Sequence, residues 1–113
     1  MKEHQWRALQ EEAPAAVGLC LRYFQDRYIG QWLRKMAHPP AIMTYLEREG
    51  IILTVTTFGV PSRTDWYYEL EIGGELLAHR RDFPSYEAAA TAGIRAAFLE
   101  LERRFPGTST RRS

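Results

Sequence analysis

The sequence predicts an α+β domain: a three-stranded antiparallel sheet with helices on one face, preceded by an N-terminal helical extension. Three observations predict it. A β-branched run and an alternating run lead into a Gly-Gly turn, a capped alanine-rich helix closes the chain, and helical periodicity opens it. We expect the helical extension at residues 1–39, packed on an α-β-β-β-α domain at 40–105, and a disordered basic tail at 106–113.

The N-terminal third is predicted to be helical. A first helix is expected over residues 2–12, and Pro14 interrupts it or starts the next one. Apolar residues then recur at three- and four-residue steps, which predicts one helix over residues 15–36, although Gly18 and Gly30 are unfavourable inside a helix. The apolar stripe of this helix contains Val17, Cys20, Leu21, Phe24, Tyr28, Trp32, Leu33 and Met36.

The prolines at 39–40 end that helix, because a residue before proline is pushed away from helical backbone. A short helix is expected over residues 41–49, with Gly50 in the left-handed position just beyond its end. Residues 51–58 are rich in β-branched side chains, which favour a strand. Residues 66–72 alternate between apolar and polar side chains, as a half-buried strand does.

The Gly73-Gly74 pair predicts a two-residue hairpin turn, because both positions of that turn favour positive φ. Such a turn sets the register of the two strands. The core face would then pair Ile72 with Glu75, Leu70 with Leu77, Tyr68 with His79 and Trp66 with Arg81. The outward face would pair Glu71 with Leu76, Glu69 with Ala78 and Tyr67 with Arg80.

The last helix is predicted over residues 86–104. Ser85 is a suitable N-cap, and Glu87 lies in the first turn, where the helix dipole favours an acid. The buried stripe would contain Tyr86, Ala90, Gly93, Ile94, Ala97, Phe98 and Leu101. Its small residues would let the helix approach the sheet closely.

The order of elements from residue 40 onward resembles the double-stranded-RNA-binding domain, and EAAATAGIRAAFLEL is similar to that family's alanine-rich last helix. The chemistry departs from the family. Ser85, Tyr86 and Glu87 stand where the family has a lysine cluster, and the loop at 59–63 has an arginine but no histidine. The 40–105 segment carries 7 Lys+Arg against 10 Asp+Glu, which is a poor footprint for phosphate binding.

A second resemblance is carried by residues 46–52, 66–72 and 83–88, which end a short helix, form the alternating strand and open the alanine-rich helix. These stretches are similar to small uncharacterised domains of bacterial and phage genomes. The resemblance implies the same fold and a phage or mobile-element origin, and it supplies no active site.

Composition indicates the cellular compartment in which we expect the chain to be found. Cys20 is the only cysteine, so no intramolecular disulfide forms, which is compatible with a reducing compartment. The N-terminus carries acids and lacks the apolar core of a signal peptide, and no run reaches the 18 apolar residues of a membrane span. We therefore expect a cytoplasmic protein that does not contact a membrane.

Catalytic and metal sites find little support in the residue pattern. The histidines, His4, His38 and His79, have no ligand spacing among themselves or with Cys20, so we expect neither a metal nor another cofactor. The predicted register places His79 on the core face, either as an acid/base partner of Tyr68 or as a structural histidine. We expect no enzyme, with a small enzyme centred on His79 as the last alternative.

Two binding hypotheses remain. The leading one is a non-enzymatic module that binds an unidentified protein partner, or itself as a homodimer, through a mixed outward sheet face. That face is predicted to contain Tyr67, Glu69, Leu76, Ala78 and Arg80, with Thr54 and Thr56 alongside. The alternative is a nucleic-acid-associated protein whose basic N-terminal helix would use Arg22, Arg27, Arg34 and Lys35, together with Arg63.

Overall fold

The computed structural model describes residues 1–57 and 65–104, and it confirms the α+β class. Within these residues the helices are α1 (Glu3–Glu12), α2 (Pro14–Arg27), α3 (Trp32–Met36), α4 (Pro39–Arg48) and α5 (Tyr86–Arg104). The strands β1 (Ile51–Thr57), β2 (Trp66–Ile72) and β3 (Glu75–Phe83) form one antiparallel sheet in the order β1-β2-β3. The predicted loop arginine, Arg63, and the predicted tail at 106–113 lie outside the described residues.

The single helix predicted over residues 15–36 is wrong, because the chain turns between α2 and α3. The last helical hydrogen bond runs from the Tyr28 N–H to the Phe24 carbonyl, at 2.8 Å. Gly30 then adopts a φ of 81°, which the interior of a right-handed helix does not accommodate. Both halves still bury apolar residues, Phe24 from α2 and Met36 from α3, which is why the apolar periodicity alone did not reveal the turn.

The β2–β3 hairpin follows the predicted register only next to its turn. Ile72 pairs with Glu75 and Glu71 with Leu76, but β3 then contains one extra residue, Leu77. Beyond this bulge the observed pairs are Leu70 with Ala78, Glu69 with His79, and Tyr68 with Arg80. The other predicted pairs are wrong, because a shift of one residue moves each following side chain to the opposite face.

A second irregularity lies near the end of the hairpin, where Trp66 pairs with Phe83 instead of Arg81. Asp82 has a φ of 72° at this point, in the left-handed region that non-glycine residues seldom adopt. The two irregularities together let Ala78 and Phe83 pack against the core.

The sheet packs its inner face on α5, while α4 packs on β1. Close approach of α5 depends on Gly93, where a Cβ atom would lie 2.6 Å from Leu53 Cδ1 and 3.1 Å from the Tyr68 ring. This confirms that the small residues of α5 let the helix and the sheet approach closely. The predicted cap is also present, because the Ala88 N–H donates to Ser85 Oγ at 3.1 Å.

The N-terminal helices form a second layer on α4 and α5. α1 and α2 contact α5, and α3 contacts α4. The Trp6 ring meets the Phe98 ring edge-on at 5.5 Å, and its Nε1–H donates to the Met36 carbonyl at 2.7 Å. Glu102 of α5 accepts a 2.8 Å hydrogen bond from the Ala16 N–H in the first turn of α2. One continuous core therefore includes the extension and the α-β-β-β-α unit.

Candidate functional site

The sheet has a second face that no described helix packs against. Ile51, Leu53, Tyr68 and Leu70 are buried toward the helices, so the residues between them point the other way. Three rows of cross-strand neighbours form this outer sheet face: Ile52, Glu71 and Leu76; Thr54, Glu69 and His79; and Thr56 with Tyr67. The name outer sheet face refers below to these eight residues.

The first row exposes apolar surface around a carboxylate. Ile52 is 47% exposed and Leu76 is 59% exposed, and each lies across from Glu71 in the register. The two aliphatic side chains lie on the two edge strands, about two strand spacings or ~10 Å apart, and with Glu71 between them they form a mixed apolar and acidic patch. An apolar patch beside an acidic group is suited to a partner that offers apolar and basic side chains.

The second row holds a hydrogen-bonded pair. His79 Nδ1 and Glu69 Oε2 are 2.9 Å apart, and the imidazole lies near the Tyr67 ring with 5.1 Å between the ring centroids. The structure thus corrects the prediction that His79 lies on the core face opposite Tyr68. The bulge at Leu77 is the reason, since it turns His79 outward and Ala78 inward.

The geometry of this row does not assemble a nucleophile and a base. Nucleophilic catalysis requires the base to be within hydrogen-bond reach of the hydroxyl. Here Glu69 lies on the central strand between Thr54 and His79, so the imidazole and the hydroxyl are about two strand spacings, or ~10 Å, apart. Instead, the contacts of His79 with Glu69 and with Tyr67 orient the imidazole and the tyrosine ring on an open surface.

The structure places three of the five predicted partner-binding residues on the outer sheet face, namely Tyr67, Glu69 and Leu76. Ala78 pairs with Leu70 and packs against the core, which corrects its predicted position.

Arg80 pairs with Tyr68 rather than with Tyr67 and is exposed at the sheet edge, where its Nη1 donates to the His79 carbonyl at 3.2 Å. Ile52, which is two residues from Thr54, was missed, although strand alternation places it on the same face.

The predicted basic surface is only partly assembled. Arg27 and Lys35 converge on the Tyr28 ring, at 5.8 Å and 5.1 Å from its centroid. A side-chain hydrogen bond to Tyr28 also raises the pKa of Arg27. Arg22 and Arg34 are exposed, and no described contact joins either of them to this cluster.

A further cation, Arg48 of α4, was not predicted. Its guanidinium lies 4.9 Å from the centroid of the Tyr23 ring. Arg48, Arg27 and Lys35 thus cover the faces of tyrosine rings from their own chain, which is the geometry of cation–π stabilisation. The sequence signal that could have found Arg48 is weak, because the contact joins two helices that are distant in sequence.

A groove with a volume of about 1160 Å³ lies between α1, α3 and the start of α5. Its apolar lining includes Trp6, Trp32, Leu33, Met36 and Ala92. Two cations at its rim are already paired with acids, Arg95 with Glu12 and Arg7 with Glu3. The sequence could not predict this groove, because it depends on how the N-terminal layer lies on α5.

Neither a cluster of metal ligands nor a membrane-spanning helix is present among the described residues. Across 1–57 and 65–104, no group of three or more His, Cys, Asp or Glu side chains lies close enough together to hold a metal ion. No helix in that part of the chain is both long and apolar enough to cross a membrane. Comparison of the chain with protein-family models, curated proteins and solved structures finds no match.

Proposed function

We propose that this chain is a protein-binding module and that the outer sheet face is its binding surface. One observation carries the proposal: two exposed aliphatic side chains, Ile52 and Leu76, flank Glu71 on a sheet face that no described helix covers. Exposed apolar surface that is rimmed by polar residues is typical of protein interaction sites.

The chemistry around the patch supports a protein partner. Tyr67 adds an aromatic ring whose position is set by the contact with His79, and aromatic residues are enriched at the centres of protein interfaces. Glu71 adds a negative charge between the two aliphatic side chains. The partner surface that fits best is therefore apolar and flanked by Lys or Arg side chains. The buried Cys20 is compatible with a reducing setting, and we place this binding in the cytoplasm.

The two alternatives receive less support from the geometry. Nucleic acid would require a joint surface of cations, whereas Arg27 and Lys35 share the Tyr28 ring, Arg48 lies on the Tyr23 ring, and no described contact joins Arg22 or Arg34 to them. A small enzyme that uses His79 to activate a nucleophile would require a hydroxyl or thiol within hydrogen-bond reach of the imidazole. The nearest hydroxyl of the same row, that of Thr54, lies beyond Glu69.

The proposal is tested by site-specific photo-crosslinking in the host. A photoreactive residue is placed at position 76 on the outer sheet face and, as a control, at position 29 between α2 and α3, where Ile29 is 85% exposed. We expect a discrete protein adduct from position 76 and none from position 29. Equal adducts at both positions, no adduct at 76, or an adduct that contains nucleic acid would overturn the proposal.

A charge reversal then distinguishes a loss of binding at the outer sheet face from a loss of folding. Glu71→Lys changes the centre of the patch, whereas Glu47→Lys makes the same change on an exposed position of α4. We expect the first variant to reduce the adduct at position 76 at least about tenfold and the second to leave it unchanged, because like charges facing each other across an interface are unfavourable. Unaltered circular dichroism of both variants would show that folding is not the cause.

A further inference from the structure

The two edges of the sheet are built differently. β3 carries two register irregularities, and Arg80, Arg81 and Asp82 follow one another along it. Asp82 also has positive φ, which bends the strand. Bulges and charged side chains are devices by which natural sheets prevent an edge from pairing with another strand. The β3 edge is therefore protected.

The β1 edge has none of these devices. Ile51–Thr57 contains no charged residue, no proline and no glycine, and it pairs with β2 over seven residues without a register shift. In the part of the chain that the structure describes, β1 has no backbone hydrogen-bonded neighbour other than β2. A regular edge strand of this kind presents a row of N–H and C=O groups to a further strand.

We propose that β1 pairs antiparallel with β1 of a second copy of this chain, joining two three-stranded sheets into one of six strands. A two-fold axis at Thr54 brings all seven residues of each strand into register. Leu53 of one copy then lies opposite Val55 of the other, and both belong to the helix-covered side. On the outer side, Thr54 meets Thr54 and Ile52 meets Thr56.

The composition of β1 favours a second copy over a different protein strand. Neither face of the strand offers a charge that would select an oppositely charged partner, and no like charges meet across the two-fold axis. On the core side Leu53 pairs with Val55 and Ile51 with Thr57, and on the outer side threonine pairs with threonine or isoleucine. Such β-branched cross-strand pairs stabilise sheets.

This pairing concerns the edge of the sheet and does not depend on the proposed function of its outer face. The full chain is examined by sedimentation velocity across a concentration series, beside Thr54→Lys and Thr44→Lys. Both threonines are exposed, Thr54 on β1 and Thr44 on α4. We expect a dimer for the unmodified chain and for Thr44→Lys, and dimerisation at least about tenfold weaker for Thr54→Lys, because two lysines would meet on the axis.

A disulfide test checks the register directly and does not require a destabilising charge. In a register centred on Thr54, Thr54→Cys places two thiols opposite each other at a separation that a disulfide accepts, whereas Thr56→Cys lies opposite Ile52. Cys20 stays in place because it is buried. We expect a covalent dimer from Thr54→Cys and little from Thr56→Cys.

Each alternative result overturns the proposal. A chain that stays monomeric at every concentration has no β1 pairing, and a dimer that Thr54→Lys leaves intact uses another surface. Equal oxidation of the 54 and 56 variants would show contact without the proposed register. None of these results bears on adduct formation at position 76, so the two proposals fail separately.

Discussion

The surroundings of the Cys20 thiol suppress its reactivity. Burial in α2 raises the pKa of the Cys20 thiol, and the Glu49 carboxylate adds to this effect. The reactive species is the thiolate. Here both access and ionisation are suppressed, so the side chain acts as a small apolar residue of the core.

We expect the folded protein at neutral pH to resist a maleimide reagent for as long as it stays folded. The same reagent should modify Cys20 completely in denaturant. Mass spectrometry of the protein after timed exposure measures both. Rapid, complete modification without denaturant would contradict the burial of Cys20.

Glu100, in the last turns of α5, is expected to stabilise the fold by an amount that decreases in acid. Burial acts to raise the pKa of this carboxyl, but hydrogen bonds from Arg104, at 2.7 Å, and from Arg103 outweigh burial and lower it. A lowered folded-state pKa stabilises the fold above the unfolded-state pKa, and this contribution is lost as pH falls through the folded-state value.

We therefore expect Glu100→Gln to be less stable than the unmodified chain at pH 7 and to show a smaller loss of stability between pH 5 and pH 2. The difference should be under about 1 kcal/mol, because both arginines are largely solvent-accessible. Urea denaturation at several pH values measures it. Equal pH dependence of the two proteins would show that this carboxyl does not contribute.

At the scale of elements, α5 approaches the sheet closely at Gly93. Gly93→Ala would place a methyl group 2.6 Å from Leu53 Cδ1 and 3.1 Å from the Tyr68 ring, so the Leu53 side chain, the Tyr68 ring or the helix itself must shift. Overpacking of this kind costs about 1–3 kcal/mol, which is more than the ~1 kcal/mol that alanine gains over glycine in a helix. We expect a net loss of stability.

Gly18 supplies the matched control. It lies inside α2, where nothing beyond its chain neighbours and its own helical backbone lies within 4 Å of the position of a Cβ, so Gly18→Ala gains helix propensity without a clash. We expect this variant to raise the free energy of unfolding by up to about 1 kcal/mol. Chemical denaturation of both variants compares them, and a Gly93→Ala protein as stable as Gly18→Ala would contradict the close approach.

At the scale of the whole molecule, the N-terminal layer and the sheet unit share one core. Phe24 of α2 is fully buried, with its ring 6.1 Å from that of Tyr45 on α4. Trp6 covers Phe98 from the other side. Removing the layer would expose apolar surface on α4 and α5 that the sheet does not cover.

We expect a chain that lacks residues 1–39 to lose cooperative unfolding and to bind a dye specific for exposed apolar surface. The full chain should unfold in a single transition without dye binding. Near-ultraviolet circular dichroism during denaturation measures cooperativity. A sharp transition in the shortened chain would show instead that residues 40–105 form an autonomous domain and that 1–39 is an accessory layer.

The candidate site shows where sequence reasoning stops. Alternation along β2 predicted that Tyr67 and Glu69 share the outer sheet face, because residues two positions apart on a regular strand point to the same side. The position of His79 depends on the bulge at Leu77, which no turn signal encodes. The bulge lets Ala78 and Phe83 pack against the core, and that gain depends on contacts with residues from other elements.

Local sequence patterns were enough to predict the fold class, the three strands, the Gly73-Gly74 turn and the capped helix after Ser85. Each of these depends on signals within a few residues. The turn at Gly30, the outward position of His79 and the unprotected edge of β1 become visible only in the folded chain. These features arise from contacts between segments distant in sequence, because only the assembled core determines which local alternative buries the most apolar surface.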